Sequence, residues 1–148
     1  MKRVALLLSA LLLLAACGQK EADEPIESMP PTEETEMILR IDGTEVPVTW
    51  ESNESVQALQ ALAPLTIDMS MYGGFEQVGS IGSSLPRNDR QTTTAPGDLV
   101  LYSGNQLVVF YGTNSWAYTR LGHVDLTKEE LTAMLSAHDV TITLEAKP

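Results

Sequence analysis

From Met37 onward, apolar and polar positions alternate with the period of two that marks half-buried strands, and helical spacing replaces it in two places. MILRID and EVPVTW flank Asp42-Gly43, a dipeptide suited to a tight turn, and read as a hairpin. Asn53 is placed to cap a short helix reaching about Ala63, with Val56, Leu59 and Leu62 at near-helical spacing and Pro64 to end it. Next, Leu65, Ile67, Met69 and Met71 alternate with Thr66, Asp68 and Ser70, which predicts one half-buried strand running to Tyr72. DLVLY and QLVVFYG flank Ser103-Gly104-Asn105 as a second hairpin. Their unbroken apolar character requires strands covered on both faces or lining a barrel. TRLGHVDL reads as a further strand. Thr127 and Glu130 form a capping box before a helix with Leu131, Met134 and Leu135 on its apolar stripe, and VTITLEA alternates to close the chain. Many short strands, two short helices and frequent turns predict a mainly β domain over residues 37–148, a small closed antiparallel β-barrel. Closure would also remove the exposed edges of two very apolar hairpin strands.

The segment before Met37 follows another logic. Lys2 and Arg3 precede the apolar run VALLLSALLLLAA, which is too short to span a bilayer needing roughly 20 residues. The run ends in Leu14-Ala15-Ala16-Cys17 followed by Gly18. Small residues before a cysteine, at the end of a secretory apolar region, resemble the bacterial lipobox. That likeness implies cleavage after residue 16, diacylglycerol on the Cys17 sulfur and fatty-acylation of the new amino terminus. Two or three acyl chains, at about 0.8 kcal/mol per buried CH2, make such an anchor effectively permanent. Residues Gly18 to Glu36 carry seven acidic residues and three prolines with almost nothing a core could use. They read as an extended, disordered tether over residues 17–36.

Charge and cysteine content narrow the setting. The net charge of −11 repels phosphate backbones and anionic lipid headgroups, which sets nucleic acid and polybasic membrane docking aside. Cys17 is the sole cysteine, so a lipidated chain holds no disulfide and its stability must come from packing. The lipobox resemblance implies a bacterial cell envelope, and the short signal with Gly18 in place of an aspartate after the cysteine points to the outer membrane, facing the periplasm.

Several groups are candidates for chemistry. Arg87 and Arg90, in SLPRNDRQTTTAPGD, are two of six lysines and arginines beyond Met37 and the best attractor for a carboxylate or phosphate. Asp89 between them supports the opposite reading, a self-neutralised surface loop worth about 0–1 kcal/mol. Trp116 and Tyr118 lie two apart, on one face if extended, and either stack on a ligand or cover the end of the domain. Tyr72-Gly73-Gly74-Phe75-Glu76 reads as a strand end with a bend, and its functional reading puts Tyr72 and Glu76 at a pocket mouth. His123 and His138 lack partners at metal-ligand spacing, and the chain carries neither a nucleophile elbow nor a phosphate loop, so no metal or cofactor is expected.

MILRIDGTEVPVTW, MYGGFEQVGSIGSSLP and above all APGDLVLYSGNQLVVFYGTNSWAYTRLGHV resemble the bacterial cyclophilin-like fold domains over Met37 to Glu145. The resemblance implies a barrel with helices at its ends, and a likeness to the prolyl isomerases in fold more than in active site. No segment matches the motif around the isomerases' catalytic arginine. The expected role is therefore a membrane-anchored, non-catalytic module binding a small molecule, a peptide or an envelope protein. The alternative is a divergent peptidyl-prolyl cis-trans isomerase. The candidate contacts are Arg87, Asp89, Arg90, Tyr72 and Trp116.

Overall fold

A computed structural model describes residues 36–148. The expected signal, the lipidated Cys17 and all of the tether but Glu36 lie outside the described residues. Strand β1 (Met37–Ile41) turns through Asp42 and Gly43, both at positive φ (48° and 81°), into β2 (Thr44–Val46). The expected second arm of this hairpin does not run on to Trp50. Pro47 has no N–H to give a ladder, and beyond it β3 (Val48–Trp50) pairs elsewhere. Helix α1 (Glu54–Ala61) starts where expected: the Asn53 side chain accepts a 2.9 Å bond from the Val56 amide, and Val56 and Leu59 are fully buried beneath it.

The strand expected from Leu65 to Tyr72 is also two. In β4 (Leu65–Asp68) and β5 (Ser70–Tyr72) the alternation fails after Met69, which is buried while Met71 is exposed. The Met69 amide donates to the Val140 carbonyl at 2.9 Å, carrying the β4–β11 register one residue further, and beyond it the Met71 amide donates to Asp139 Oδ1 at 2.8 Å while Ser70–Tyr72 pair with β6. The remaining elements are β6 (Glu76–Ser80), β7 (Arg90–Thr93), β8 (Asp98–Tyr102), β9 (Gln106–Phe110), β10 (Ser115–Val124), α2 (Lys128–Leu135) and β11 (Thr141–Ala146). Strand β7 lies inside what the sequence presents as a long loop.

Among the described residues the fold is mainly β with two helices, and its sheets do not close into a barrel. One sheet runs β2-β1-β11-β4. The other runs β3-β10-β8-β9-β6-β5, with β7 paired to the first half of β10. The strand pairs of both sheets are antiparallel. The chain crosses from sheet to sheet at Pro47 and again at Met69, yet neither crossing is bridged by a ladder. At Pro47 a donor is missing, and after Met69 the β4–β11 register ends while Ser70–Tyr72 take β6 of the larger sheet as their partner. The two layers still pack tightly, since a Cβ at Gly79 of β6 would come within 2.6 Å of the Ile67 side chain of β4.

The main core lies between the layers. Leu39, Ile41, Ile67, Ile142 and Leu144 of the smaller sheet meet Leu99, Leu101, Leu107, Val109 and Leu121 of the larger, with Val56, Leu59, Leu131 and Leu135 of the helices. Each such buried side chain is worth about 1.5–3 kcal/mol. Helix α2 carries the expected capping box, with Thr127 and Glu130 exchanging bonds of 2.9 and 3.2 Å. Its far end is tied down by buried Gln77. The Gln77 amide nitrogen donates to Leu135 O and His138 O, both at 2.7 Å, and its carbonyl accepts from the Val140 amide at 3.1 Å.

Alternation then places a second set of apolar side chains on the opposite face of the larger sheet. Val100 of β8, Val108 and Phe110 of β9 and Tyr118 of β10 form a separate buried cluster, with Phe75, Val78 and Tyr102 packed against it. This accounts for the unbroken apolar runs in β8 and β9: both faces are covered.

Candidate functional site

The outer-face cluster forms the floor of a cleft. Tyr72 ends β5, and the turn Gly73-Gly74-Phe75, with φ of 64° and 73° at its glycines, brings the chain back as β6. Tyr72 pairs directly with Glu76, and Glu76 with Phe110, so the three side chains share one face. A cavity of about 360 Å³ opens there, walled by the rings of Tyr72, Tyr102, Trp116 and Tyr118 over Val78 and Val108. Ring packing holds one side of the wall in place, where Tyr118 stands edge-on to Tyr102 at 6.1 Å and to Phe110 at 5.7 Å, each at 67°, while Tyr72 and Trp116 form its exposed rim. Asn114 Nδ2 donates to the Tyr118 hydroxyl oxygen at 2.8 Å, which leaves that O–H free to donate.

Glu76 is the unusual member. It is only 7 % exposed, and its Oε2 is fully buried with no hydrogen-bond donor among the described residues. Burial pushes its carboxyl up to about 7 from the ordinary 4.5. Burial also raises the Tyr118 phenol, and the nearby Glu76 and Tyr102 add to that rise. A carboxyl that titrates near neutrality can exchange a proton with a ligand or hold a cation once ionised. Among the described residues, neither a second carboxylate nor a histidine lines the cleft to complete an acid–base pair.

The arginines lie in a different depression. A groove of about 590 Å³ is lined by Arg87, Arg90 and Arg120, by Thr92 and Thr93, and by Asn53 to Ser55 at the start of α1. Arg87 Nε stands 3.6 Å from Asp89 Oδ2, while Asp89 Oδ1 accepts a 2.7 Å bond from the Thr119 hydroxyl; Asp89 does not line the groove. Arg120 pairs with buried Asp98 at 3.2 Å. Arg90 makes no ion pair among the described residues. The threonine hydroxyls are spent locally, Thr92 on the Arg90 carbonyl at 2.8 Å and Thr93 with Ser115 at 2.8 Å.

The five expected contacts are thus divided. Arg87 and Arg90 share the groove, Tyr72 and Trp116 share the cleft, and Asp89 belongs to neither as a lining residue. Tyr118 lines both. The β7–β10 ladder explains the contact, because it sets Arg90 opposite Tyr118 and Thr92 opposite Trp116. Glu76, read from sequence as part of a pocket mouth, lies on the cleft floor instead. The sequence pattern does not single out Tyr102 or Arg120; the one signal for Tyr102 is its spacing of two from Val100 in a strand with both faces apolar. The histidines serve local structure: His138 Nε2 meets Asp42 Oδ2 at 2.8 Å, and His123 Nδ1 meets Asp125 Oδ1 at 3.1 Å. Asp42, bonded by the Thr141 amide and then by His138, is held below the usual carboxylate range. Asp125, bonded first by the Thr49 hydroxyl, is held low in the same way.

Comparison with known proteins matches this geometry at the level of fold. The solution structure of the hypothetical protein AF2241 from Archaeoglobus fulgidus superposes with a TM-score of 0.57 at 15 % identity, over 77 % of this chain and 95 % of that one. McbB, solved in complex with tryptophan, superposes with a TM-score of 0.54 at 14 % identity, over 76 % of this chain; the match spans only 45 % of the McbB chain. No curated protein matches the chain. Residues 39–145 match the cyclophilin-like family along nearly the whole described domain, and the chain belongs to that family.

Proposed function

We propose that this protein is a non-catalytic binding module of the bacterial cell envelope, held to the membrane through Cys17, whose ligand site is the Glu76 cleft. One observation carries the site: a carboxyl buried to 7 % exposure, with an unbonded oxygen, on the floor of a cavity walled by four aromatic rings. A protein interior seldom leaves such an oxygen without a donor, because an unpaired buried polar group costs about 1–3 kcal/mol. Concave, largely apolar walls with a few convergent polar groups suit a small molecule better than a flat protein partner. A single titrating carboxyl, without a nucleophile or a second acid–base group beside it among the described residues, supports binding over turnover. The arginine groove is a secondary surface in this reading, since two of its three guanidiniums already face aspartates.

A small-fragment library screened against the isotope-labelled full chain by NMR tests the site. Binding fragments should shift the resonances of Val78, Val108 and the Trp116 indole. Fragments that instead shift Asn53 and Arg87, or a library in which nothing shifts the cleft, would overturn it. The Trp116 indole is easily told from that of Trp50, whose Nε1 donates to the Met37 carbonyl at 3.1 Å.

A further inference from the structure

We infer that the ligand of the Glu76 cleft is a small organic ammonium ion, its cation set against the Glu76 carboxyl and its apolar body against the surrounding rings. The inference rests on the cleft being the ligand site and narrows what that site accepts.

Among the described residues, Glu76 is the only carboxylate lining the cleft, and no arginine or lysine reaches it. An anion would therefore meet an uncompensated buried carboxyl. A neutral ligand with a hydroxyl or amide could donate to the Glu76 carboxyl, but only while Glu76 stays protonated or at the cost of keeping an unpaired buried charge. A cationic N–H removes that cost, and charge-assisted bonds are about twice as strong as neutral ones. The walls favour the same charge. Tyr72, Tyr102, Trp116 and Tyr118 present rings whose faces attract cations, worth about 0.5–2 kcal/mol per well-placed contact. At about 360 Å³ the cavity sits at the small end of the range for ligand clefts, about 300–1,000 Å³. The net charge of −11 over the whole chain also favours the approach of a cation.

Binding should be linked to protons. The titratable groups facing Glu76 are Tyr72 on β5, Tyr102 on β8 and Tyr118 on β10, while β9 contributes only Gln106, Val108 and Phe110. All three titratable neighbours are phenols, and Glu76 is the only carboxyl among the described residues that line the cleft. With its carboxyl at about 7, an ammonium ligand must displace the Glu76 proton on the acid side of neutrality and need not on the alkaline side.

Three probes with one ring and different charge test the class: phenethylamine, 2-phenylethanol and 3-phenylpropionate, each titrated into the full chain and followed at the Trp116 indole N–H. At about pH 8 phenethylamine should bind at least roughly tenfold tighter than 2-phenylethanol, with 3-phenylpropionate weakest. Between about pH 5.5 and pH 8 the amine's affinity should rise roughly thirtyfold, following the ionised fraction of a carboxyl near 7, while the alcohol's does not rise. Glu76→Gln should remove both the amine preference and the pH dependence. The pH series on the unaltered protein decides the same point if that variant folds poorly. Equal affinity for amine and alcohol, or an amine affinity flat with pH, overturns the ammonium class. If the alcohol still shifts Trp116 in that case, the cleft remains the ligand site. If no probe shifts Trp116 at millimolar concentration, ligand class and site fall together.

Discussion

Replacing Glu76 by glutamine should change how the stability of this protein depends on pH, in a direction fixed by burial alone. In the unfolded chain the glutamate has its ordinary value of 4.5, whereas in the folded protein it is pushed up to about 7. Between those values the folded state holds a proton that the unfolded state has lost. The stabilisation is therefore complete below about pH 4.5 and disappears as the pH rises through 7. A difference of about 2.5 units at 1.36 kcal/mol each amounts to about 3 kcal/mol, or on the order of 10 °C in melting temperature for a domain of this size. Glutamine has nearly the same shape and cannot ionise. It leaves two buried amide hydrogens to place, which lowers stability by a constant amount at every pH. The measurement that matters is therefore the slope. Melting curves from about pH 5 to pH 8 should show the parent losing about 2.5 kcal/mol more than Glu76→Gln, most of the full difference. Groups such as Asp42 and Asp125, held low by the Thr141 amide and the Thr49 hydroxyl, lose their contribution only as pH falls below that range, and they are common to both proteins. Parallel curves for parent and variant would refute the argument, because they would mean that Glu76 is as well solvated folded as unfolded.

Two further changes probe the frame and the setting. Gln77→Leu keeps an apolar shape but orphans Leu135 O, His138 O and the Val140 amide at once, so urea unfolding should show a loss of about 3 kcal/mol or more; a loss below about 1 kcal/mol would show that α2 needs no such tie. Cys17→Ser removes the thiol that the lipobox reading requires, so radiolabelled palmitate should mark the parent in cells and not the variant; equal labelling would refute anchoring at that residue.

The elements were legible wherever a local signal was sufficient. The Asn53 cap, the Thr127 and Glu130 box and the turns at Asp42-Gly43 and Ser103-Gly104 all act within a few residues, and each appears where the sequence puts it. The failures occur where a long-range partner decides the outcome. Leu65 to Tyr72 alternates without a break, yet the chain changes sheets after Met69, because β11, far along the chain, pairs no further than Met69 and Ser70–Tyr72 pair with β6. Pro47 carried a visible warning, but a missing donor shows only that a ladder stops, not that the next residues join another sheet. Strand β7 was hidden because RQTT is polar on both faces; it exists through pairing with β10, which no periodicity in the loop announces.

The candidate site was half legible for the same reason. Residue type picked out Arg87, Arg90, Tyr72 and Trp116 as able to do chemistry, but not which of them face one another. Once β10 lies between β7 and β8, its alternation turns Trp116 and Tyr118 to the outer face and makes Tyr118 the common wall of two depressions of opposite character. One depression carries arginines whose charge aspartates partly offset; the other carries a lone carboxyl with nothing among the described residues to offset it. That contrast shifts the expectation away from the arginines. Arg87 and Arg120 already face aspartates at the surface, so a ligand gains little by replacing those partners, and Arg90 is an exposed cation that water already solvates. A buried carboxyl with an unbonded oxygen has the most to gain from an incoming donor. The sequence marks the cations because they are scarce in an acidic chain. Only the fold reveals that one glutamate among many carboxylates is the group in need of a partner.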